Sequence, residues 1–128
     1  MTYSEKFRLL LETLHNTKYA IFKGNAEDAE LLLKMRLQAI SDYFSERYKY
    51  YTVLPIAKMR MDSESYKVIY EEIDGSRHLA HNLALSSAKA LNDIYSKLGL
   101  GTFFETDFKD RKQATAEMLK FFSEIQNV

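Results

Sequence analysis

Residues 63–98 read SESYKVIYEEIDGSRHLAHNLALSSAKALNDIYSKL, and this stretch decides the fold of the 128-residue chain. Its residues on one face recur at alternating spacings of four and three: Tyr66, Tyr70, Ile73, Arg77, Ala80, Ala84, Ser87, Leu91, Ile94 and Leu98. This spacing predicts one continuous face of an α-helix. Because the pattern keeps its phase through Gly75, we predict one long helix over about 63–98 rather than two helices. Whether Gly75 bends that helix stays open.

The rest of the chain predicts three further helices. Helix one is predicted over about 4–22, with Ser4 as the side chain that caps its first turn. Helix two is predicted to start at Asn25, another good capping residue, and to stop at Pro55. Proline lacks the backbone N–H that a helix interior needs, and it disfavours helical geometry in the residue before it.

Two connections and the last helix complete this prediction. Residues 53–62 are predicted as a loop, and residues 102–106 as a short link. Helix four is predicted over about 107–126, capped by Thr106 or Asp107. Four helices with short connections predict an all-α fold, an antiparallel up-down four-helix bundle with one long helix. By length, residues 1–128 are predicted to form a single domain.

Composition and charge exclude several classes of protein. Only four Gly and one Pro are present, too few turn residues for a many-stranded sheet protein. Eighteen basic residues match eighteen acidic ones, which disfavours a nucleic-acid partner because phosphate binding needs a cationic surplus or patch. The absence of cysteine suits a reducing compartment, and we predict a cytoplasmic location. No apolar run approaches the roughly 20 residues of a membrane span, so no membrane partner is predicted.

The middle of the long helix holds the strongest candidates for chemistry. Arg77 interrupts the apolar face, and His81 follows it one turn later on the same side. A fixed positive charge beside a group that titrates near neutrality can hold a phosphodiester and move a proton. The structural alternative pairs Arg77 with Asp74 one turn back, or with Asp42 on helix two, because an ion pair of this kind can fix helix register.

Two family resemblances rest on this segment. Arg77 followed by His81 on a bundle helix resembles the ribonuclease signature of HEPN domains, and it makes Arg77, His81 and Asn82 the candidate catalytic residues. Three residues separate Arg77 from His81, whereas the HEPN signature has four to six. The longer pattern, Arg77-x-x-x-His81-Asn82 with a later Leu91-Asn92, resembles small bacterial helical families of unknown function. This second resemblance implies an uncharacterised cytosolic helical protein and no particular reaction.

The histidines are also weighed as metal ligands. His78 and His81 are three residues apart, and His15 lies in helix one, so His15, His78 and His81 are the candidate ligands of a three-histidine site. DinB-like bundles resemble this arrangement, although their paired histidines are usually four residues apart. The simpler interpretation is a surface histidine and a hydrogen-bonded one. We therefore predict no metal and no cofactor.

A run of aromatic and basic residues ends helix two. It reads Arg47-Tyr48-Lys49-Tyr50-Tyr51, and tyrosines interleaved with cations can bind single-stranded nucleic acid. The alternative is that tyrosine side chains cover the end of the helix. Taken together, the sequence favours a non-enzymatic binding or interaction module that self-associates as a dimer, with another protein as a possible partner. The alternative is a metal-independent, HEPN-like ribonuclease or nucleotide-acting enzyme that uses Arg77 and His81.

Overall fold

The computed structural model describes the backbone of residues 1–16 and 26–126, and the side chains of residues 1–14 and 31–125. Its helices are α1 (Tyr3–Asn16), α2 (Ala26–Tyr48), a π-helical segment (Lys49–Val53), α3 (Leu54–Arg60), α4 (Ser63–Lys97) and α5 (Arg111–Gln126). The prediction of an all-α fold is confirmed, with no strand in these ranges. The predicted end of helix one near residue 22 and the predicted start of helix two at Asn25 lie outside the described residues. No helix in the described part of the chain is long and apolar enough to cross a bilayer.

Helix α1 begins with a capping box. The Thr2 hydroxyl accepts a hydrogen bond from the Glu5 N–H (3.1 Å), and the Glu5 carboxylate accepts one from the Thr2 N–H (3.2 Å). The prediction that Ser4 caps this helix is wrong, because Ser4 already lies inside the first turn. Its hydroxyl instead donates to the Glu124 carbonyl (3.0 Å) and so joins α1 to α5.

The prediction that Pro55 stops helix two is also wrong. The chain stays helical from Ala26 to Arg60, and the π-helical segment lies directly before the proline. The Leu54 N–H bonds to the Lys49 carbonyl five residues back. This wider turn relieves the clash between the proline ring and the preceding turn, and Pro55 then occupies the first turn of α3, where its missing N–H is tolerated. The predicted loop over 53–62 is therefore mostly helix.

Helix α4 confirms the prediction of one long helix. It is 35 residues long, about 50 Å at 1.5 Å per residue, and it runs through Gly75 without a break. Its N-cap is Asp62, whose carboxylate accepts from the Ser65 N–H (2.8 Å). It ends in a Schellman motif in which Gly99 has a φ of 74° and the Leu100 N–H bonds to the Tyr95 carbonyl (3.1 Å).

Helix α5 starts later than predicted. Its first residue is Arg111, and its first turn is capped by Asp110, whose carboxylate accepts from the Lys112 N–H (3.0 Å). Thr106 and Asp107 do not cap it. Their side chains accept from backbone N–H groups two residues further on, which holds the chain in consecutive turns. Side chains that accept hydrogen bonds from nearby backbone N–H groups in this way compete with helix formation.

Helices α2 and α4 pack against each other as an antiparallel hairpin. The Tyr43 ring lies 5.0 Å from the His81 ring, and the Tyr50 ring lies 6.2 Å from the Tyr70 ring, both measured between centroids. The buried residues of α4 all lie in its C-terminal half: His81, Ala84, Ser87, Ala88, Leu91 and Tyr95. The middle of the predicted face is buried, as expected. Towards the N-terminus the buried face is shifted by about one residue, because His81 is buried where Arg77 and Ala80 were expected.

The core is centred on the link between α4 and α5. Phe103 and Phe104 are fully buried, and their rings contact each other and the rings of Tyr3 and Phe121. Asn92 holds this link in place, because its side-chain oxygen accepts from the Phe104 N–H (2.7 Å). The Leu91-Asn92 pair singled out in the sequence is therefore an anchor for the core.

Candidate functional site

Arg77 lies at the junction of α4 with the π-helical segment. One terminal nitrogen donates to the Asp74 carboxylate (2.8 Å), and the guanidinium lies 4.2 Å from the centre of the Tyr50 ring. The predicted pairing with Asp74 is thus present. Asp42, the other predicted partner, accepts from Gln38 instead (2.8 Å). Burial lowers the pKa of Arg77, but the hydrogen bond and charge of Asp74 outweigh it and raise the pKa above its ordinary value, so Arg77 is a permanent cation.

His81 lies one turn further along α4 than Arg77 and is more deeply buried. Only 2% of its surface is exposed, and its ring packs edge-on against Tyr43 of α2. Burial, the largest cause, and the positive charges of Arg111 and Arg77 lower the pKa of His81, which Asn82 offsets only in part. Near neutral pH the buried imidazole is therefore uncharged.

His78 links two arginines at the surface. Its Nδ1 lies 3.3 Å from a terminal nitrogen of Arg111, and its Nε2 lies 3.4 Å from one of Arg77. Arginine only donates, and a neutral imidazole has one acceptor nitrogen, so His78 accepts from one arginine at a time. This contact connects α4 to the start of α5.

The predicted metal ligands stay untested as a set. Within the described residues, no group of three His, Cys, Asp or Glu side chains is placed to hold a metal ion. The side chain of His15 lies outside the described residues. His78 and His81 point to different surroundings, since His78 is exposed between arginines and His81 is buried against Tyr43.

A cleft of about 690 Å³ opens between α2, α4 and the first turns of α5. Four cationic side chains line it, namely Arg47, Arg77, Arg111 and Lys112. The aromatic and apolar part of its wall is formed by Tyr43, Tyr51 and Leu119. Among the described lining residues, Asp110 alone carries a carboxylate, and it caps α5. The cleft therefore has a local excess of positive charge although the whole chain is neutral.

Three of the four cations in the cleft have no ionic partner among the residues that the structure describes. Arg77 is paired with Asp74, but Arg47, Arg111 and Lys112 form no ion pair with any described carboxylate. The N-terminus of the 16-residue α5 lies at the same cleft and adds the positive end of a helix dipole. Such a constellation favours binding of an anion.

The structure brings only part of the predicted site together. Arg77 lines the cleft, His81 is buried behind Tyr43, and Asn82 is exposed outside the lining. Sequence reasoning missed Arg111 and Lys112, which lie more than thirty residues further along the chain. It did single out the run that contains Arg47 and Tyr51.

The comparisons with known proteins bear on the family. Residues 3–123 match the family model described as a protein of unknown function, DUF3232. The chain belongs to the DUF3232 family. No curated protein and no solved structure matches this DUF3232 chain. The family match confirms the prediction of a family of unknown function, in that general form.

His81 is expected to make the stability of the DUF3232 chain depend on pH. An unfolded chain protonates a histidine near pH 6.5, about its ordinary pKa, while the folded chain takes up this proton only at lower pH. Proton uptake therefore favours the unfolded state, and stability falls as the pH drops through 6.5, until the lower folded pKa is passed. Above that range His81 is neutral in both states and contributes no pH dependence.

Urea unfolding at pH 7.5 and 5.5 tests this. Carboxylates also titrate toward the acid end, so the measurement is the difference between variants. We expect His81→Leu to lose less stability than the wild type between the two pH values. Leu79→Gln, a change at a residue that is 74% exposed and lies two positions away, should keep the wild-type difference. An unchanged difference in His81→Leu would contradict the prediction.

Proposed function

We propose that the DUF3232 chain is a non-enzymatic binding protein whose cleft holds a small anion bearing phosphate or carboxylate groups. The observation that carries this proposal is the convergence of Arg47, Arg111 and Lys112, none of which pairs with a carboxylate in the described part of the chain, on one cleft with Arg77. Guanidinium groups match the geometry of phosphate and carboxylate oxygens. Positive charge that no described carboxylate pairs with, in a concave site, supports recognition of a charged ligand.

Binding is better supported than catalysis. The HEPN-like alternative needs His81 to reach the substrate as a general acid or base, which requires hydrogen-bond distance from the reacting atoms. His81 is buried behind Tyr43, and one nitrogen of Arg77 is already bound to Asp74. The same residues therefore support a structural role for His81 and an electrostatic role for Arg77.

Titration calorimetry with pyrophosphate at low salt tests the anion proposal. We expect saturable binding that Arg111→Gln weakens about tenfold, the effect of losing roughly 1.4 kcal/mol of charge-assisted hydrogen bonding. Lys109→Gln makes the same change of charge two residues away, outside the cleft lining, and should alter the affinity by less than about twofold. Equal effects of the two variants, or no saturable binding, would refute the proposal.

An RNA-cleavage assay separates binding from the ribonuclease alternative. We expect no cleavage of single-stranded RNA by the wild-type chain. Cleavage that Arg77→Ala and His81→Ala both abolish, while circular dichroism shows that each variant stays folded, would instead establish the enzyme.

The arrangement of the helices and the cellular setting are also proposals. An antiparallel up-down four-helix bundle, with α2 and α3 as one rod, is supported by the α2–α4 hairpin and by the packing of Tyr3 in α1 on Phe121 in α5. A single domain over 1–128 agrees with the one core that Phe103 and Phe104 share. The absence of cysteine supports a cytoplasmic location.

Self-association as a symmetric dimer is supported by the surface of α3. Ile56, Met59 and Met61 are 50%, 87% and 39% exposed at the closed end of the hairpin. An apolar patch at one end of a helical hairpin favours a second copy of the chain. Light scattering should show a dimer at micromolar concentration, which Met59→Lys weakens and Leu83→Lys, on α4, does not. A monomer at every micromolar concentration would rule the dimer out.

A further inference from the structure

We infer that the anion in this cleft is the head group of an amphiphile whose apolar chain lies in an adjoining groove along α2 and α5. The inference rests on the proposed anion binding and names the class of ligand. Two observations carry it. The cationic cleft adjoins two neighbouring depressions, and the cleft is lined by charged side chains whereas the far depression is lined mostly by apolar ones.

The cleft and the depressions share their walls. A depression of about 410 Å³ shares Arg47, Tyr51 and Leu119 with the cationic cleft. A second depression, of about 430 Å³, shares Phe44 and Tyr48 with the first. The three hollows therefore lie side by side, in a row from the arginines at the start of α5 to the π-helical segment.

The far end of this row, here called the apolar groove, is built by aromatic rings. Phe44 of α2 and Phe122 of α5 stack with their centroids 5.4 Å apart and their planes 22° apart. Both line the second depression, and Val53 of the π-helical segment closes it. The one charged residue there, Lys49, is already paired with Glu46 (3.1 Å). A chain of methylene groups is the occupant that this surface fits.

The exposed residues along this row support the same conclusion. Tyr48, Tyr51, Val53 and Leu119 are 66%, 60%, 43% and 40% exposed. Singly exposed apolar residues are ordinary, but these four lie on joined depressions beside a cationic site. A bare phosphate would neutralise the arginines and leave this surface in water, whereas an amphiphile covers both.

The geometry favours a single molecule over a membrane surface. The Arg77 side chain is only 17% exposed and lies inside the cleft, so a head group has to enter the cleft to reach it. A lipid head group held in a bilayer plane would meet the exposed Arg111 and Lys112 but would not reach Arg77. The ligand is therefore a monomeric alkyl or acyl compound with a phosphate or carboxylate head.

The experiment compares inorganic phosphate, butyl phosphate and octyl phosphate by titration calorimetry. Each methylene group that becomes buried should tighten binding about fourfold, from roughly 0.8 kcal/mol per group. Octyl phosphate has four more methylene groups than butyl phosphate, so burial of only two of them should already make it bind at least about tenfold tighter. In Val53→Asn this ratio should fall. Leu83→Asn makes the same change from an apolar to a polar side chain at an exposed leucine away from the groove. In this variant the ratio should stay as in the wild type.

The outcomes separate this inference from the anion proposal. Phosphate binding with no gain from the octyl chain would overturn the inference and leave the anion proposal standing. Absence of binding by all three compounds would refute both. Co-sedimentation with phosphatidylglycerol vesicles is the third arm: binding to vesicles without binding of octyl phosphate would replace the single ligand with a membrane surface.

Discussion

Phe103→Ala is expected to lower the free energy of unfolding by about 3–5 kcal/mol. The Phe103 ring is fully buried and lies within 5.0–5.7 Å, between centroids, of the rings of Tyr3, Tyr95, Phe104 and Phe121. Alanine removes these contacts and leaves a cavity. The neighbouring rings lie on three different helices, so they cannot all move inward to fill it. Urea unfolding followed by circular dichroism measures the loss.

A matched control sets the scale for the Phe103 variant. Leu79 is 74% exposed on α4, so Leu79→Ala should change the stability by no more than about 0.5 kcal/mol. A loss below about 1 kcal/mol in Phe103→Ala would show that the link between α4 and α5 is not the centre of the core.

Arg77→Ala is expected to lower the free energy of unfolding by about 2 kcal/mol. The variant leaves the half-buried Asp74 carboxylate without its cation and removes the guanidinium from the Tyr50 ring. Arg77→Lys keeps the charge but not the planar group that stacks on the ring, so its loss should be intermediate. The measurement is again urea unfolding, at pH 7.5 so that His81 stays neutral.

Arg60→Ala is the control for this second prediction. Arg60 ends α3 and is exposed, so its loss should have little effect on stability. If Arg77→Ala and Arg60→Ala are equally stable, the Arg77–Asp74 pair does not fix the junction of α4 with the π-helical segment. Pyrophosphate affinity, measured on the folded Arg77→Ala chain, then reports the electrostatic role of Arg77 separately.

The helical pattern predicted α4 well because its information is local. The bounds near residues 63 and 98 and the continuity through Gly75 each depend on a few neighbouring residues, and all are confirmed. The rotation of the buried face depends on the partner helix. Tyr43 packs on His81, and that contact turns a polar residue inward where periodicity alone favours Ala80.

The error at Pro55 has a physical cause that a propensity argument misses. Proline is destabilising when the turn before it is a regular α-helix. The π-helical segment widens that turn, and Tyr50, within the segment, stacks on Arg77 of α4. Packing against α4 thus favours a helix that the local sequence opposes.

By itself, the sequence determined the helical class and the long helix α4, because hydrophobic spacing acts within a few turns of the chain. It also singled out Arg77 and the tyrosine-rich run near Arg47. Only the tertiary structure decided that Arg111 and Lys112 join these residues in one cleft, and that His81 is buried. Those facts depend on how distant helices pack, and the net charge of zero concealed a local concentration of positive charge.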